Sequence, residues 1–286
     1  MSTIRGPNRH SVVVTGASSG IGRATVAALV GAGFFVFPTV RKLADAENLR
    51  QEFGAAVSPT LLDLVDEDSV RAAGAEVCGA GPLFGLVNNA GAALPGPLEH
   101  LPIDVFRRQL EINLTGQLLV TQVMLPALRS SAEQAGEARI VMVGSIGGRI
   151  AGPILGAYHA SKHGLVGLTG SLRAELAPFG IKVLLIEPGT ISTPIWGRGA
   201  SGGRELEAMR PHGFGRYAKQ MEDAYIMAER GARTGLDPSI PAKVIEQALT
   251  AKNPTPRQVV GRDARLIAGA VRLLPFRAVY RFTRAR

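Results

Sequence analysis

The stretch Val12-Val13-Val14-Thr15-Gly16-Ala17-Ser18-Ser19-Gly20-Ile21-Gly22 constrains the fold of this chain more than any other. A β-branched run stops at Thr15, glycines follow in quick succession, and an alanine-rich segment of helical period runs from Arg23 to Ala32. The pattern reads as strand, tight turn and helix. Glycine lets the backbone enter the left-handed region and lets another group approach closely. A helix starting there offers unpaired N–H groups and the positive end of its dipole, which suit a pyrophosphate. The spacing, Gly16-x3-Gly20-x-Gly22, differs from the general G-x-G-x-x-G dinucleotide fingerprint. Glycines between a strand and a helix also serve an ordinary tight turn.

The same rhythm runs on through the chain. Apolar runs predict strands at 11–15, 34–40, 57–62, 84–88, 139–143, 181–186 and 257–260. Helical periodicity predicts helices at 21–32, 43–53, 67–78, 103–130, 157–177, 241–250 and 263–273. Phe34-Phe35-Val36-Phe37 and Ile181-Lys182-Val183-Leu184-Leu185-Ile186 are nearly continuously apolar. Strands covered on both faces look like this, which points to a parallel sheet between helices. Strict β-α alternation with right-handed crossovers gives a doubly wound α/β fold. No linker, repeat or low-complexity block interrupts it, so one domain over 1–286 is expected. The rhythm breaks at 190–238, rich in Gly, Arg and Met, with one helix predicted near 216–230. A long excursion at this level usually carries function.

Composition narrows the class. At 286 residues, 46 % apolar and 19 % charged, the chain can bury a large core. Its single cysteine, Cys78, excludes an intramolecular disulfide and reads as a buried, inert thiol. Met1 to His10 lacks an apolar signal region and no apolar run is long enough to span a bilayer, so a cytoplasmic location is expected. The sequon at Asn113 then has no meaning. The net charge of +9 is concentrated at the end: Arg257 to Arg286 holds eight arginines against the single Asp263. A near-neutral body argues against a nucleic-acid binder, whose basic footprint lies on the folded domain.

Two positions carry chemistry. Leu86-Val87-Asn88-Asn89-Ala90-Gly91 ends the fourth strand, at the carboxyl edge where ligands of such sheets bind. Asn88 and Asn89 also suit turns there. Tyr158 and Lys162, four apart, share one face of the fifth helical segment. A phenol with its ordinary pKa near ~10 transfers protons poorly at neutral pH, and a nearby ammonium lowers that value. Ser145 closes the preceding strand, where its hydroxyl can hold a carbonyl or alcohol oxygen beside Tyr158. Together these make a proton-transfer site with an electrostatic clamp.

Thr15-Gly16-x3-Gly20-x-Gly22, Asn88-Asn89-Ala90-Gly91, Asn113, Ser145, Tyr158-x3-Lys162 and Pro188-Gly189 stand in the order found in the short-chain dehydrogenase/reductase family, which the chain resembles over about residues 10–195. The resemblance implies a seven-stranded Rossmann fold, NADP(H) or NAD(H) as cofactor, and hydride transfer between a nicotinamide and a carbonyl or alcohol carbon. It makes Tyr158 the general acid/base. Lys162 holds the ribose and lowers the tyrosine pKa, Ser145 orients the substrate oxygen, and Asn113 positions a water in a proton relay. The cofactor would rest on Gly16, Ser18, Ser19, Gly20, Ile21 and Gly22. Asp63 and Leu64 would take the adenine, Asn89, Ala90 and Gly91 the middle of the cleft. Pro188, Gly189, Ile191 and Thr193 would lie at the nicotinamide carboxamide.

The family's acidic position after the second strand falls on Val40, followed by Arg41 and Lys42. With no carboxylate to repel a 2′-phosphate and two cations to meet it, NADP(H) is favoured and NAD(H) possible. Against this, Ser18 and Ser19 bring no positive charge, and Arg41 and Lys42 also suit a solvated helix start. The uncharged 92–98 and the segment 147–155, apolar apart from Arg149, suit the walls of a lipophilic pocket. The variable 190–238 would be its lid. Pro254 to Ala264 with Leu273-Leu274-Pro275 is loosely similar to members acting on steroids and retinoids. A reductase of carrier-bound 3-oxoacyl groups is the alternative, and a non-catalytic dinucleotide sensor another. In 264–286 arginines alternate with apolar residues around Pro275, predicting two short amphipathic helices suited to an anionic membrane surface or to packing on the body or a partner subunit. A homo-oligomer, dimer or tetramer, is expected. His159 and His163 lack the glutamate of a zinc-protease helix, so no metal site is expected and a surface or subunit-contact role is preferred. Arg107-Arg108 and Arg204-Glu205 read as solvated charges, and the pair Glu133/Glu137 as an exposed helix end or loop.

Overall fold

The computed structural model describes residues 10–209, 214–275 and 277–279. Seven parallel strands form one sheet: β1 (Ser11–Val14), β2 (Phe35–Val40), β3 (Thr60–Leu61), β4 (Gly85–Asn88), β5 (Ala138–Val143), β6 (Ile181–Pro188) and β7 (Arg257–Val260). Their order is β3-β2-β1-β4-β5-β6-β7. Val13 stands in register with Phe37 on one side and Leu86 on the other. The chain builds outward from β1 to β3, then crosses to β4 and builds the other way. The reversal leaves a crevice beyond the carboxyl ends of β1 and β4.

Alternation along each strand divides the core into two layers. Val13, Leu86, Ile140 and Met142 face one side, against α3 (Glu67–Gly79), α5 (Gly116–Ala135) and α6 (Gly156–Leu176) through Val70, Val77, Met124, Leu128 and Leu165. Val12, Val14, Val141 and Val143 face the other, against α1 (Gly20–Gly31), α2 (Leu43–Phe53) and α9 (Ser239–Thr250) through Val26, Leu29, Leu49, Ile245 and Leu249. Side chains buried this completely contribute about 1.5–3 kcal/mol each. Truncating Leu128 to alanine would cost about 2–5 kcal/mol, because the packed layer cannot fully collapse.

Three predicted elements differ. The strand expected at 57–62 pairs only at Thr60–Leu61, with Val57 making an isolated bridge to Val36. Pro59 has no N–H to donate and breaks the ladder. The helix expected over 103–130 is two helices, α4 (Ile103–Leu110) and α5, joined by a π-helical turn at Glu111–Thr115. The excursion 190–238 holds two helices where one was expected: α7 (Ile195–Met209) and α8 (Ala218–Thr234). They pack on each other over a small separate core of Ile154, Leu206, Phe214, Met221 and Tyr225. Ile191 bridges Leu236 at their base.

Helix α10 (Arg262–Leu273) follows β7, and after Pro275 the amides of Ala278 and Val279 bond back to the Pro275 carbonyl, so Pro275 divides the tail as expected. Residues 280–286, the rest of the expected basic tail, lie outside the described residues. Among the described residues no helix is long and apolar enough to cross a membrane.

Candidate functional site

The glycine turn is stitched to the end of β4. The Thr15 hydroxyl accepts the amides of Asn89 and Ala90 at 2.9 and 3.0 Å, and the Asn89 side-chain amide donates to the Thr15 carbonyl at 2.8 Å. Gly16 and Gly20 have φ of +66° and +56°, where a side chain would be strained. A Cβ on Gly16 would lie 2.8 Å from the Ala90 Cα, and one on Gly22 2.6 Å from the Asn89 Nδ2. Gly16, Ser18, Ser19, Gly20 and Ile21 border the cleft, whereas Gly22 lies beneath the turn, packed on it from behind. Ser19 is the N-cap of α1, yet its hydroxyl does not bond the first turn, which carries no acidic residue. The positive end of α1 therefore opens onto the cleft without a side-chain acceptor.

At the far side of this turn the cleft is bordered by Thr39, Val40, Arg41, Asp63, Leu64 and Val65. Val40 is buried and Arg41 exposed, while Lys42, the N-cap of α2, is not at the cleft. The middle is bordered by Asn89, Ala90 and Gly91. Asn88 turns inward, donating to the Thr121 hydroxyl at 2.8 Å inside the core.

Ser145, Tyr158 and Lys162 converge at the other end of the cleft. Ser145 leaves β5 in extended conformation, and its hydroxyl accepts the Gly147 amide at 3.0 Å and is hydrogen-bonded to Tyr158. One turn of α6 separates Tyr158 from Lys162, whose ammonium donates to the Val143 carbonyl at 3.0 Å and lies 5.9 Å from the Tyr158 ring centre. Burial pushes the Tyr158 phenol above its ordinary value, against the opposing pull of the Ser145 hydrogen bond. Burial also draws Lys162 down to about 8. Desolvation, not Lys162, rules the phenol, and the ammonium is turned to a backbone carbonyl.

Asn113 lies behind the cleft, in the π-helical turn. Its side chain clamps the Ala92 backbone, accepting from the amide and donating to the carbonyl at 2.9 Å each, and donates to the Ser161 hydroxyl at 3.0 Å. One amide hydrogen thus fixes the loop after β4 and the other ties Asn113 to α6 at Ser161.

Pro188, Gly189, Ile191 and Thr193 border the cleft beyond β6. Two charged residues that the sequence did not single out hold this loop. The Asp263 carboxylate accepts the Thr190 amide at 2.9 Å, and a Cβ on Gly189 would collide with it. Glu187, wholly buried, is gripped by Arg149 at 2.5 Å and Arg257 at 2.7 Å. Burial alone would raise its carboxyl; the hydrogen bonds from Arg257 and Arg149 outweigh that and hold it below the ordinary carboxylate value. Arg149 is therefore spent on Glu187, and residues 147–155 do not border the cleft, contrary to the sequence reading. Ala92, Ala93 and Leu94 do. Ile154 sits at φ +68°, rare for a β-branched residue, in the core under α7 and α8.

Arg108, Trp196, Arg198 and Gly199 also border the cleft. Arg108 thus lies at the cleft, where the sequence suggests only a solvated charge. The others lie on the unforeseen α7, which approaches closely because a Cβ at Gly199 would meet the Ala93 carbonyl at 2.9 Å. His159 is half-buried with its Nδ1 3.0 Å from the Gly147 carbonyl, a structural contact of α6 with the turn after β5, and burial lowers its pKa. His163 is exposed.

Residues 10–201 match the family model described as short chain dehydrogenase. The NADPH-dependent 3-dehydrocapnine reductase of Ornithobacterium rhinotracheale is 35 % identical over 268 residues, covering 93 % of each chain. Retinol dehydrogenase 5 of Mus musculus is 35 % identical over 282 residues, covering 94 % of this chain and 86 % of the relative. Among solved structures, a short-chain dehydrogenase from Streptomyces avermitilis superposes with a TM-score of 0.76 at 28 % identity, covering 97 % of this chain and 96 % of that one. A seven-stranded parallel sheet, a glycine turn stitched to β4 and this likeness over nearly the whole chain agree, and the chain belongs to the short-chain dehydrogenase/reductase family of NAD(P)-dependent oxidoreductases.

Proposed function

We propose that this protein transfers a hydride between NADPH and the carbonyl carbon of a lipophilic substrate, with Tyr158 as general acid. The observation that carries the reading is the convergence of Ser145, Tyr158 and Lys162 at one end of the cleft, beside the apolar Ala92, Ala93, Leu94 and Trp196. Apolar walls with a few polar anchors suit such a substrate. When bound, the nicotinamide supplies the hydride. Ser145 and Tyr158 hold the substrate oxygen, and Tyr158, kept protonated by burial, gives that oxygen its proton. Lys162 holds the ribose and remains cationic up to about pH 8. Asn113 acts by fixing Ala92 at the pocket wall. Gly189, Ile191 and Thr193 orient the carboxamide, and the pair α7–α8 forms the lid.

The preference for NADPH rests on Arg41 at the cleft and on Val40, buried and uncharged, where a carboxylate would repel a 2′-phosphate. The relatives' names, an NADPH-dependent reductase and a retinol dehydrogenase, support the cofactor and the lipophilic class respectively. A peripheral contact with an anionic membrane fits α10, where Leu266 and Leu273 are 76 % and 80 % exposed beside Arg262, Arg265 and Arg272. A homo-oligomer fits the family.

The test is a panel of ketones and alcohols assayed with NADPH and NADH. Activity on apolar cyclic or long-chain carbonyls, with Arg41→Ala weakening NADPH selectively, is expected. Activity confined to short charged ketones or to carrier-bound 3-oxoacyl groups would reverse the substrate assignment. Tighter NADH than NADPH would reverse the cofactor preference.

A further inference from the structure

We propose that Arg198, on α7, is a ligand of the cofactor's pyrophosphate, a role that rests on the reading of the cleft as a nicotinamide dinucleotide site. Its guanidinium crosses from a segment 179 residues away to the Ser19 hydroxyl, at 2.8 Å from Nη2. Ser19 is the N-cap of α1, and its hydroxyl does not satisfy the helix it caps. The side chain therefore places a permanent cation over the positive end of α1, at the glycine turn. Two like-signed features brought together in this way favour a dianion between them.

The surrounding charges point the same way. Ser18 and Ser19 bring no cation to the turn. Arg23, the next basic residue of α1, is paired with Glu52. Arg41 stands beyond β2, at the end of the cleft that Asp63 borders. Arg198 makes no ion pair with any carboxylate among the described residues, and a neutral hydroxyl is a modest partner for a group that takes two phosphate oxygens at once. The close approach of the two segments is built into the backbone. A Cβ on Gly20 would lie 2.9 Å from the Thr193 Cγ2, just before α7, so the turn and the root of the helix are in contact.

Trp196 and Gly199 lie within one turn of Arg198 on α7 and border the same cleft. A dinucleotide that engages Arg198 therefore also holds the helix that carries this part of the wall.

The experiment measures dissociation constants of NADPH, NADH and adenosine 2′-monophosphate for wild type, Arg198→Ala, Arg198→Lys and Arg41→Ala. The nucleotide monophosphate has the 2′-phosphate but no pyrophosphate. Arg198→Ala is expected to weaken both dinucleotides by about tenfold or more while leaving the monophosphate within about twofold. Arg198→Lys should recover part of the loss, as a point charge without the fork. Arg41→Ala should instead weaken NADPH and the monophosphate and spare NADH. Dinucleotide binding by Arg198→Ala within about twofold of wild type would overturn the proposal, and so would an equal loss for the monophosphate. A wild type that binds neither dinucleotide would overturn the cofactor reading itself.

Discussion

The Lys162 ammonium donates to the Val143 carbonyl at 3.0 Å, so the end of β5 fixes the ammonium that lies 5.9 Å from the Tyr158 ring centre. The strand that delivers Ser145 to the site thus also holds the lysine in place, and burial at this junction draws the lysine down to about 8.

A pH dependence of cofactor affinity follows. Lys162 is cationic below about pH 8 and loses its proton above it. Tyr158, pushed above its ordinary value by burial, stays protonated through that range. NADPH affinity should therefore weaken as pH rises through about 8, and Lys162→Met should bind weakly with no such break. A break at the same pH in Lys162→Met would assign it to another group.

Glu187 makes acid stability a second readout. Its folded carboxyl is held below the ordinary value of 4.5 by Arg257 and Arg149 despite its burial. A carboxyl lowered in the folded state contributes stability above its unfolded pKa and loses it as pH falls through the folded value. Wild type should lose stability on acidification below about 4.5. Glu187→Gln should be destabilised at pH 7 by roughly 3 kcal/mol, since removing one partner strands the buried arrangement, with a flatter acid dependence. Denaturant melts from pH 3 to 7 measure both.

The membrane reading of α10 is tested on its exposed face. Leu266 and Leu273, seven apart and both exposed, are replaced by glutamate, leaving Asp263 and the buried Ala264 untouched. Wild type should co-sediment with anionic phosphatidylserine vesicles at low salt, and the double variant should stay in the supernatant with its dinucleotide affinity unchanged. Wild type remaining in the supernatant would assign the face to a protein contact.

The parts of the site readable from sequence are those built on short spacings. Gly16, Gly20 and Gly22 announce a turn because the backbone there admits no side chain, and Tyr158 and Lys162 meet because four residues make about one helical turn. The contacts that escaped span the fold. Arg149 and Arg257 reach Glu187 over 38 and 70 residues, and Arg198 reaches Ser19 over 179. Helix α7 escaped for a different reason. Its Gly197, Gly199, Gly202 and Gly203 oppose helix by propensity, but a Cβ at Gly199 or Gly203 would collide with Ala93 or Pro95, so packing overrides propensity. The π-helical turn at Glu111–Thr115 has no periodic signature distinct from a continuous helix.

In the proposed reaction Tyr158 delivers the proton to the substrate oxygen. Tyr158→Phe keeps the ring in place and removes only the hydroxyl that bonds Ser145. Single-turnover reduction of a ketone substrate by NADPH, measured beside NADPH affinity, tests this most directly. A fall of roughly 10²-fold or more in the rate, with affinity within about twofold of wild type, is the expected result. A Tyr158→Phe enzyme that reduces the ketone at a near wild-type rate would contradict the assignment.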